Sequence, residues 1–266
     1  MKQDLEELKQ YFSAQAAAFP GKVSYLYRDM GEPVRSFFRS SSETVVSAST
    51  IKVPVMLCLF DKMNREGISF DLPLTVQKRQ ILTDSLVFEY GERAASLQEL
   101  TVWMIENSDN TATNVLMVYL GFPAMNDLFR RMKLTSTRAE RIMLDFDSVK
   151  QGLNNYISPE DFYICMKFLY EKKKTDLLYE NGWNILKHNR DHNDLMRYLY
   201  EEPSCAHKTG GLDGIEHDAG VFETAFGTYF LGIFLSEFAP GQEMETEAMR
   251  LIGRLSRKTY DFYKET

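Results

Sequence analysis

Apolar residues recur at helical spacing near the start of the chain. Leu5, Leu8, Tyr11 and Phe12 share one side of a helix over residues 3–18, and Pro20-Gly21 ends the pattern. The period then shortens. Val23-Ser-Tyr-Leu-Tyr27 and Val34-Arg-Ser-Phe-Phe38 are rich in branched and aromatic residues and flank Gly31-Glu32-Pro33, which reads as two strands and a turn. Residues 50–200 return to helical periodicity, broken at Gly67, Gly91, Gly121-Phe-Pro123, Gly152 and Pro159. After Pro203 strand-like texture resumes in Ala206-His-Lys-Thr209, Ile215 to Thr224 and Gly227 to Ser236, and Glu243 to Tyr263 is a closing helix. Strands at both ends around a helical middle predict an α+β fold. Its antiparallel sheet has about five strands flanked by N- and C-terminal helices, with an inserted all-helical subdomain. The α/β part comprises residues 1–48 plus 203–266 and the helical part residues 49–202. No repeat or flexible linker separates them, so 1–266 reads as one unit.

Composition removes several function classes. A chain of 266 residues, 44% hydrophobic and 26% charged, supports one sizeable core or two interlocked subdomains. Its 31 basic and 38 acidic residues give a net charge of -7, with no basic block to follow a phosphate backbone, so nucleic acid is not an expected partner. The N-terminus, MKQDLEELKQYFSAQAAAF, mixes acidic and basic residues without the apolar run and cleavage site of a secretory signal. That predicts a cytoplasmic location, although a chain whose leader had been removed would read the same. No window has the roughly 18 uninterrupted apolar residues of a membrane span, so no membrane partner is expected. Cys58, Cys165 and Cys205 are widely spaced in apolar company, which suits reduced buried thiols. His188 and His192 stand four apart, but no third ligand is evident, and no metal is expected.

The chemistry begins in Ser47-Ala-Ser-Thr-Ile-Lys-Val-Pro-Val-Met-Leu57. Three residues apart on a helix, the Ser49 hydroxyl and the Lys52 amine can come within hydrogen-bond reach. The continuation, Val53 to Phe60, is apolar all round, which implies burial and a desolvated lysine. Burial favours the neutral amine, the form able to take a proton from serine. A serine at a helix N-terminus also has free backbone N–H groups to stabilise an oxyanion. The bland alternative is a capping serine and a lysine that snorkels to solvent. A second polar group, Ser108-Asp-Asn110, lies in the bend between two amphipathic helices. A third, His207-Lys-Thr-Gly-Gly211, ends a strand-like run, where glycines permit close approach and Lys208 offers a cation.

In this order and rough separation, Ser49-Thr-Ile-Lys52, Ser108-Asp-Asn110 and Lys208-Thr-Gly210 resemble the S-x-x-K, S-D-N and K-T-G signatures of the β-lactamase and penicillin-binding protein superfamily, class A above all. The likeness spans nearly the whole chain and implies the β-lactamase/transpeptidase-like fold. It also implies roles. Ser49 matches the acylated nucleophile, Lys52 its partner in proton transfer, and Ser108 the hydroxyl that relays a proton to the leaving nitrogen. Asn110 matches the amide that holds the acyl side chain, and Asp109 a brace for the loop. Lys208 and Thr209 match the receptors of the substrate carboxylate, and the Gly211 N–H an oxyanion donor beside that of Ser49.

The likeness breaks at one step. Class A members carry a water-activating glutamate within a Glu-x-x-Leu-Asn pattern, and the corresponding region here, residues 137–158, has none in place before Ser158-Pro159. Glu140, Asp145 and Asp147 are the nearby carboxylates. Asp145 and Asp147 are the candidate replacements, with solvated loop charges as the alternative. No arginine follows Lys208-Thr-Gly closely; His217 and Asp218 occupy that stretch. The expected activity is that of a cofactor-free serine hydrolase acting on cyclic amides through an acyl-enzyme on Ser49, with a small-molecule β-lactam or a peptide- or ester-like substrate. A penicillin-binding peptidase or esterase with slow deacylation, or a catalytically silent binding protein of the same fold, are the competing readings.

Overall fold

A computed structural model describes residues 4–200 and 203–265. Five strands form the main sheet: β1 (Lys22–Asp29), β2 (Ser36–Arg39), β7 (Ser204–Leu212), β8 (Ile215–Thr224) and β9 (Gly227–Ser236). They are antiparallel throughout, in the order β2-β1-β9-β8-β7, so β7 is an edge strand. The sheet is buried on both faces, which is why its strands read as nearly continuous apolar runs. Val23, Tyr25, Tyr27, Leu231, Ile233 and Leu235 face helices α1 (Leu5–Ala18) and α9 (Gln242–Glu265). Leu26, Ala219, Val221, Phe230 and Phe234 point the other way, into the larger core formed with the intervening helices. The expected α+β architecture is therefore present. The expected helix start at residue 3 lies outside the described residues.

Between β2 and β7 run α2 (Lys52–Glu66), α3 (Leu97–Glu106), α4 (Asn110–Leu120), α5 (Phe122–Arg131), α6 (Phe146–Lys150), α7 (Pro159–Lys172) and α8 (Leu177–Lys187). This region is not purely helical. Strands β3 (Val45–Val46) and β6 (Tyr156–Ile157) pair, as do β4 (Pro73–Val76) and β5 (Arg93–Ser96). These ribbons are two to four residues long, too short for an alternating pattern to stand out from the helical texture around them.

α2 is the central helix. Val53, Val55, Met56, Leu57, Leu59 and Phe60 are all buried, each worth roughly 1.5–3 kcal/mol against the exposed side chain. Phe60 meets Phe70 and Tyr179 edge to face, and α8 approaches so closely that a β-carbon at Gly182 would stand 2.4 Å from the Phe60 ring. The helix ends at Gly67, whose left-handed backbone (φ 66°) returns its N–H to the Met63 carbonyl. α3 begins with a reciprocal capping box between Ser96 and Glu99. α8 stops at Lys187, so His188 and His192 do not share a helix face; His192 instead contacts the Asn189 carbonyl oxygen at 2.9 Å. The three cysteines are free and buried. Among the described residues, no helix is long and apolar enough to cross a membrane.

Candidate active site

The chain enters α2 through a 3-10 turn, Ala48–Ile51. Ala48 is left-handed (φ 45°), an arrangement that costs energy in a residue other than glycine and recurs at functional sites. Neither Ser47 nor Ile51 makes a side-chain cap, and Ser49 is half-buried rather than capping the helix. Lys52, the first residue of α2, is fully buried and does not snorkel.

Four oxygens surround the Lys52 amine. Its Nζ lies 2.9 Å from Ser49 Oγ, 2.6 Å from the Ser108 carbonyl oxygen, 3.0 Å from Ser108 Oγ and 2.9 Å from Asn110 Oδ1. The Ser108 and Asn110 carbonyl oxygens can only accept, so they take both N–H bonds of a neutral amine and leave its lone pair for a serine hydroxyl. Burial is the main force holding Lys52 well below the ordinary lysine range, and the charge of nearby Lys208 adds to it; Asp109 and Asp84 pull weakly the other way.

Ser108 offers both its carbonyl and its hydroxyl to this one amine because its backbone is also left-handed (φ 53°). The bend that holds it is braced by Asp109. One Asp109 oxygen caps α4 by accepting the Ala112 N–H at 2.7 Å, and the other accepts the Ser85 hydroxyl at 2.5 Å. Asn110 opens α4 and donates its Nδ2 to Asp84 at 2.7 Å.

The third signature arrives on β7. Lys208 is fully buried and donates to Ser108 Oγ at 3.1 Å and to the Thr209 carbonyl oxygen at 3.0 Å. Burial pushes its amine down to about 8, with Asp191, Asp218 and Asp194 opposing the shift. Ser108 Oγ thus stands between two lysines. At Gly210 a β-carbon would lie 2.9 Å from the Ser49 N and 3.0 Å from the Thr50 N. Its glycine therefore lets the edge strand lie against the serine-bearing turn itself, a closer neighbour than the ligand for which the sequence suggested it. Gly211 follows, exposed, with the Glu216 carboxylate 3.2 Å from where its β-carbon would be. Glu216 is itself buried, which raises its carboxyl to about 8.

The structure therefore brings Ser49, Lys52, Ser108, Asn110 and Lys208 into one hydrogen-bonded cluster, with Thr209 and Gly211 on the adjoining edge strand. Among the described contacts, neither of the two candidate water-activating residues is hydrogen-bonded to that cluster. Asp145 caps α6 through the Ser148 N–H (3.0 Å) and hydroxyl (2.6 Å), bonds that lower its carboxyl below the ordinary range. Asp147 is exposed and paired with Lys150. His217 lies between the carbonyl oxygens of Glu216 and Val46, and Asp218 binds His207 and the Leu195 N–H.

The loop leading to α6 is held by three asparagine side chains that imitate a neighbouring strand. Asn126 exchanges hydrogen bonds with the N–H and carbonyl of Ala139, Asn155 with those of Arg141, and Asn114 with those of Met143. Asn114 is one turn beyond Asn110 on α4, so both project from one face of that helix. The loop residue fixed beside this face is buried Met143, without a carboxylate. Sequence reasoning gave no role to Asn114, which ends the matched run Ser108 to Asn114, and missed Asp84. The first has a faint signal in its i, i+4 relation to Asn110; the second lies in an irregular loop with no motif to mark it.

A family model described as the beta-lactamase enzyme family matches residues 6–263. A beta-lactamase from Bacteroides uniformis is 24% identical over 234 residues, covering 80% of this chain and 77% of that protein. Among solved structures, a beta-lactamase from Sphaerobacter thermophilus superimposes with a TM-score of 0.84 at 21% identity, over 99% of this chain and 98% of its own. PBP-A does so with a TM-score of 0.87 at 21% identity, over 100% and 98%.

Proposed function

The chain belongs to the beta-lactamase enzyme family, and from that premise we propose that it is a class A-like serine hydrolase forming an acyl-enzyme on Ser49. The observation that carries the reading is the amine of Lys52, buried, 2.9 Å from Ser49 Oγ, with carbonyl oxygens placed to take both N–H bonds of its neutral form.

In this reading Ser49 Oγ attacks the lactam carbonyl as Lys52 Nζ takes its proton. The backbone N–H groups of Ser49 and Gly211 receive the developing oxyanion. As the C–N bond breaks, Ser108 gives its hydroxyl proton to the ring nitrogen and regains one from Lys52. Lys208 and Thr209 receive the substrate carboxylate, and Asn110 the carbonyl of the acyl side chain. A point mutant of PBP-A, which shares this fold, has been solved as an acyl-enzyme with penicillin G, which supports a β-lactam as acylating agent here.

A second reading, a penicillin-binding peptidase or esterase with slow deacylation, is favoured by Met143 on the Asn110 face of α4. Release of the acyl group by water is then the slow step. Intact-protein mass spectrometry after mixing with penicillin G tests both. An adduct of the whole penicillin mass, absent in Ser49→Ala, is the expected result, and its persistence for minutes or more identifies slow release. No adduct together with no turnover overturns the assignment and leaves a binding protein of the same fold.

A further inference from the structure

Opposite Lys208, the hydrogen-bonded row through the site ends in a carboxylate. Asp84 Oδ2 accepts from Asn110 Nδ2 at 2.7 Å, Asn110 Oδ1 accepts from Lys52 Nζ, and Ser108 Oγ lies between Lys52 and Lys208. An amide NH2 has two hydrogens. Asp84 takes one, which also orients the amide so that its oxygen faces Lys52, and the second is left for a substrate carbonyl. Asp84 is exposed, and among the described residues no lysine or arginine forms a salt bridge with its carboxylate. The loop that carries it is anchored on both sides of the bend, by Ser85 on Asp109 and by the Leu82 N–H on Thr111 Oγ1 at 2.9 Å.

We propose that Asp84 is a specificity-determining residue that selects acyl donors bearing an ammonium group beside the acyl carbonyl, so that the site takes a zwitterion with its carboxylate at Lys208 and its amine at Asp84. The inference rests on the acyl-enzyme reading above. A substrate carbonyl bound to the second Nδ2 hydrogen lies next to Asp84 Oδ2, and an amine on the adjacent carbon comes within one hydrogen bond, or one water, of the carboxylate. The acyl donors that fit are peptides or lactams with a free α-amino group at that position.

Three penicillins test this: the phenylacetyl compound and its α-amino and α-carboxy analogues, which share the leaving ring and its carboxylate. The wild-type second-order acylation rate constant should rank amino above unsubstituted above carboxy. Each step is expected to be about tenfold, the scale of one charge-assisted hydrogen bond or one like-charge contact at a partly exposed site. Asp84→Asn should bring the amino-to-carboxy ratio towards one, and Asp84→Lys should invert it. The ratio is the readout, so any slowing common to all three compounds cancels. Adducts forming on Ser49 at equal rates with all three overturn the inference alone; no adduct with any of them overturns it together with the reading on which it rests.

Discussion

Lys208 gives the sharpest test of the site's electrostatics. In the proposed reaction it must be charged to receive a carboxylate, yet burial brings its amine from the ordinary 10.5 down to about 8, a bias of roughly 3 kcal/mol towards the neutral form. The same reaction requires a neutral Lys52, and its displacement well below the lysine range makes it so at lower pH. The second-order acylation rate constant reports ionisations of the free enzyme. It should therefore rise with pH as Lys52 loses its proton and fall above about pH 8 as Lys208 does. At pH 9 about one Lys208 in ten keeps its proton, so the rate should drop about tenfold per pH step beyond that point. The rate constant at saturating substrate should keep its value further into alkali, because a bound carboxylate holds the Lys208 proton. Lys208→Arg replaces the amine with a group that stays charged; its alkaline limb should disappear while the acidic limb stays in place. Stopped-flow acylation by a chromogenic cephalosporin from pH 5 to 10 measures both limbs. A wild-type profile flat to pH 10, or an arginine variant that keeps the limb near 8, refutes the reasoning.

Gly210→Ala places a methyl group within 3 Å of two backbone nitrogens that cannot yield separately; acylation should fall by 100-fold or more, on the scale of a displaced catalytic group, while circular dichroism stays native. Met143→Glu puts a carboxylate at the loop position whose main chain Asn114 fixes; if that position serves the proposed deacylation, the acyl-enzyme lifetime seen by mass spectrometry should shorten by about 100-fold or more, the scale of general-base catalysis, and an unchanged lifetime counts against that role. Asn114→Ala strands the buried N–H and carbonyl of Met143 and should cost about 2–4 kcal/mol in urea unfolding; a loss under about 0.5 kcal/mol contradicts the pinned loop. Glu216, raised from 4.5 to about 8 in the folded protein, binds a proton more tightly folded than unfolded. Its contribution is full below about pH 4.5 and is lost as pH rises through 8, an upper bound of about 5 kcal/mol. Glu216→Gln should flatten the fall in stability between pH 5 and 9, and an unchanged slope excludes Glu216 as its source.

How much of this was legible in the sequence depended on how far apart the partners lie in the chain. Ser49 and Lys52 are three residues apart, so helical geometry alone brings them within reach, and the all-apolar Val53 to Phe60 announced the lysine's burial. Ser108 and Lys208 were legible as signatures; that Ser108 Oγ lies 3.0 Å from one lysine and 3.1 Å from the other required the fold. The small ribbons β3–β6 and β4–β5 were hidden by their length. Gly210 was marked as a place of close approach, but only the packing of β7 on Ala48–Ile51 identifies its neighbour as the Ser49 backbone.

The water question was the least legible, because it turns on which residue a loop presents and not on which residues the loop contains. Counting along residues 137–158 offered Asp145 and Asp147 as bases, since both are carboxylates in the right stretch. Each is spent locally, Asp145 on the start of α6 and Asp147 on Lys150. The loop's depth and register are set by Asn126, Asn155 and Asn114, which grip alternate residues 139, 141 and 143 through their main chains. Main-chain pairing of this kind fixes where residue 143 sits without itself specifying the side chain, which here is a buried methionine. The hydrogen bonds that gather Ser49, Lys52 and Ser108 are therefore distinct from those that place residue 143. Under the proposed acyl-enzyme reading the two half-reactions are separable: Lys52 serves acylation through its buried contacts, and the side chain at position 143 sets how long the acyl group stays.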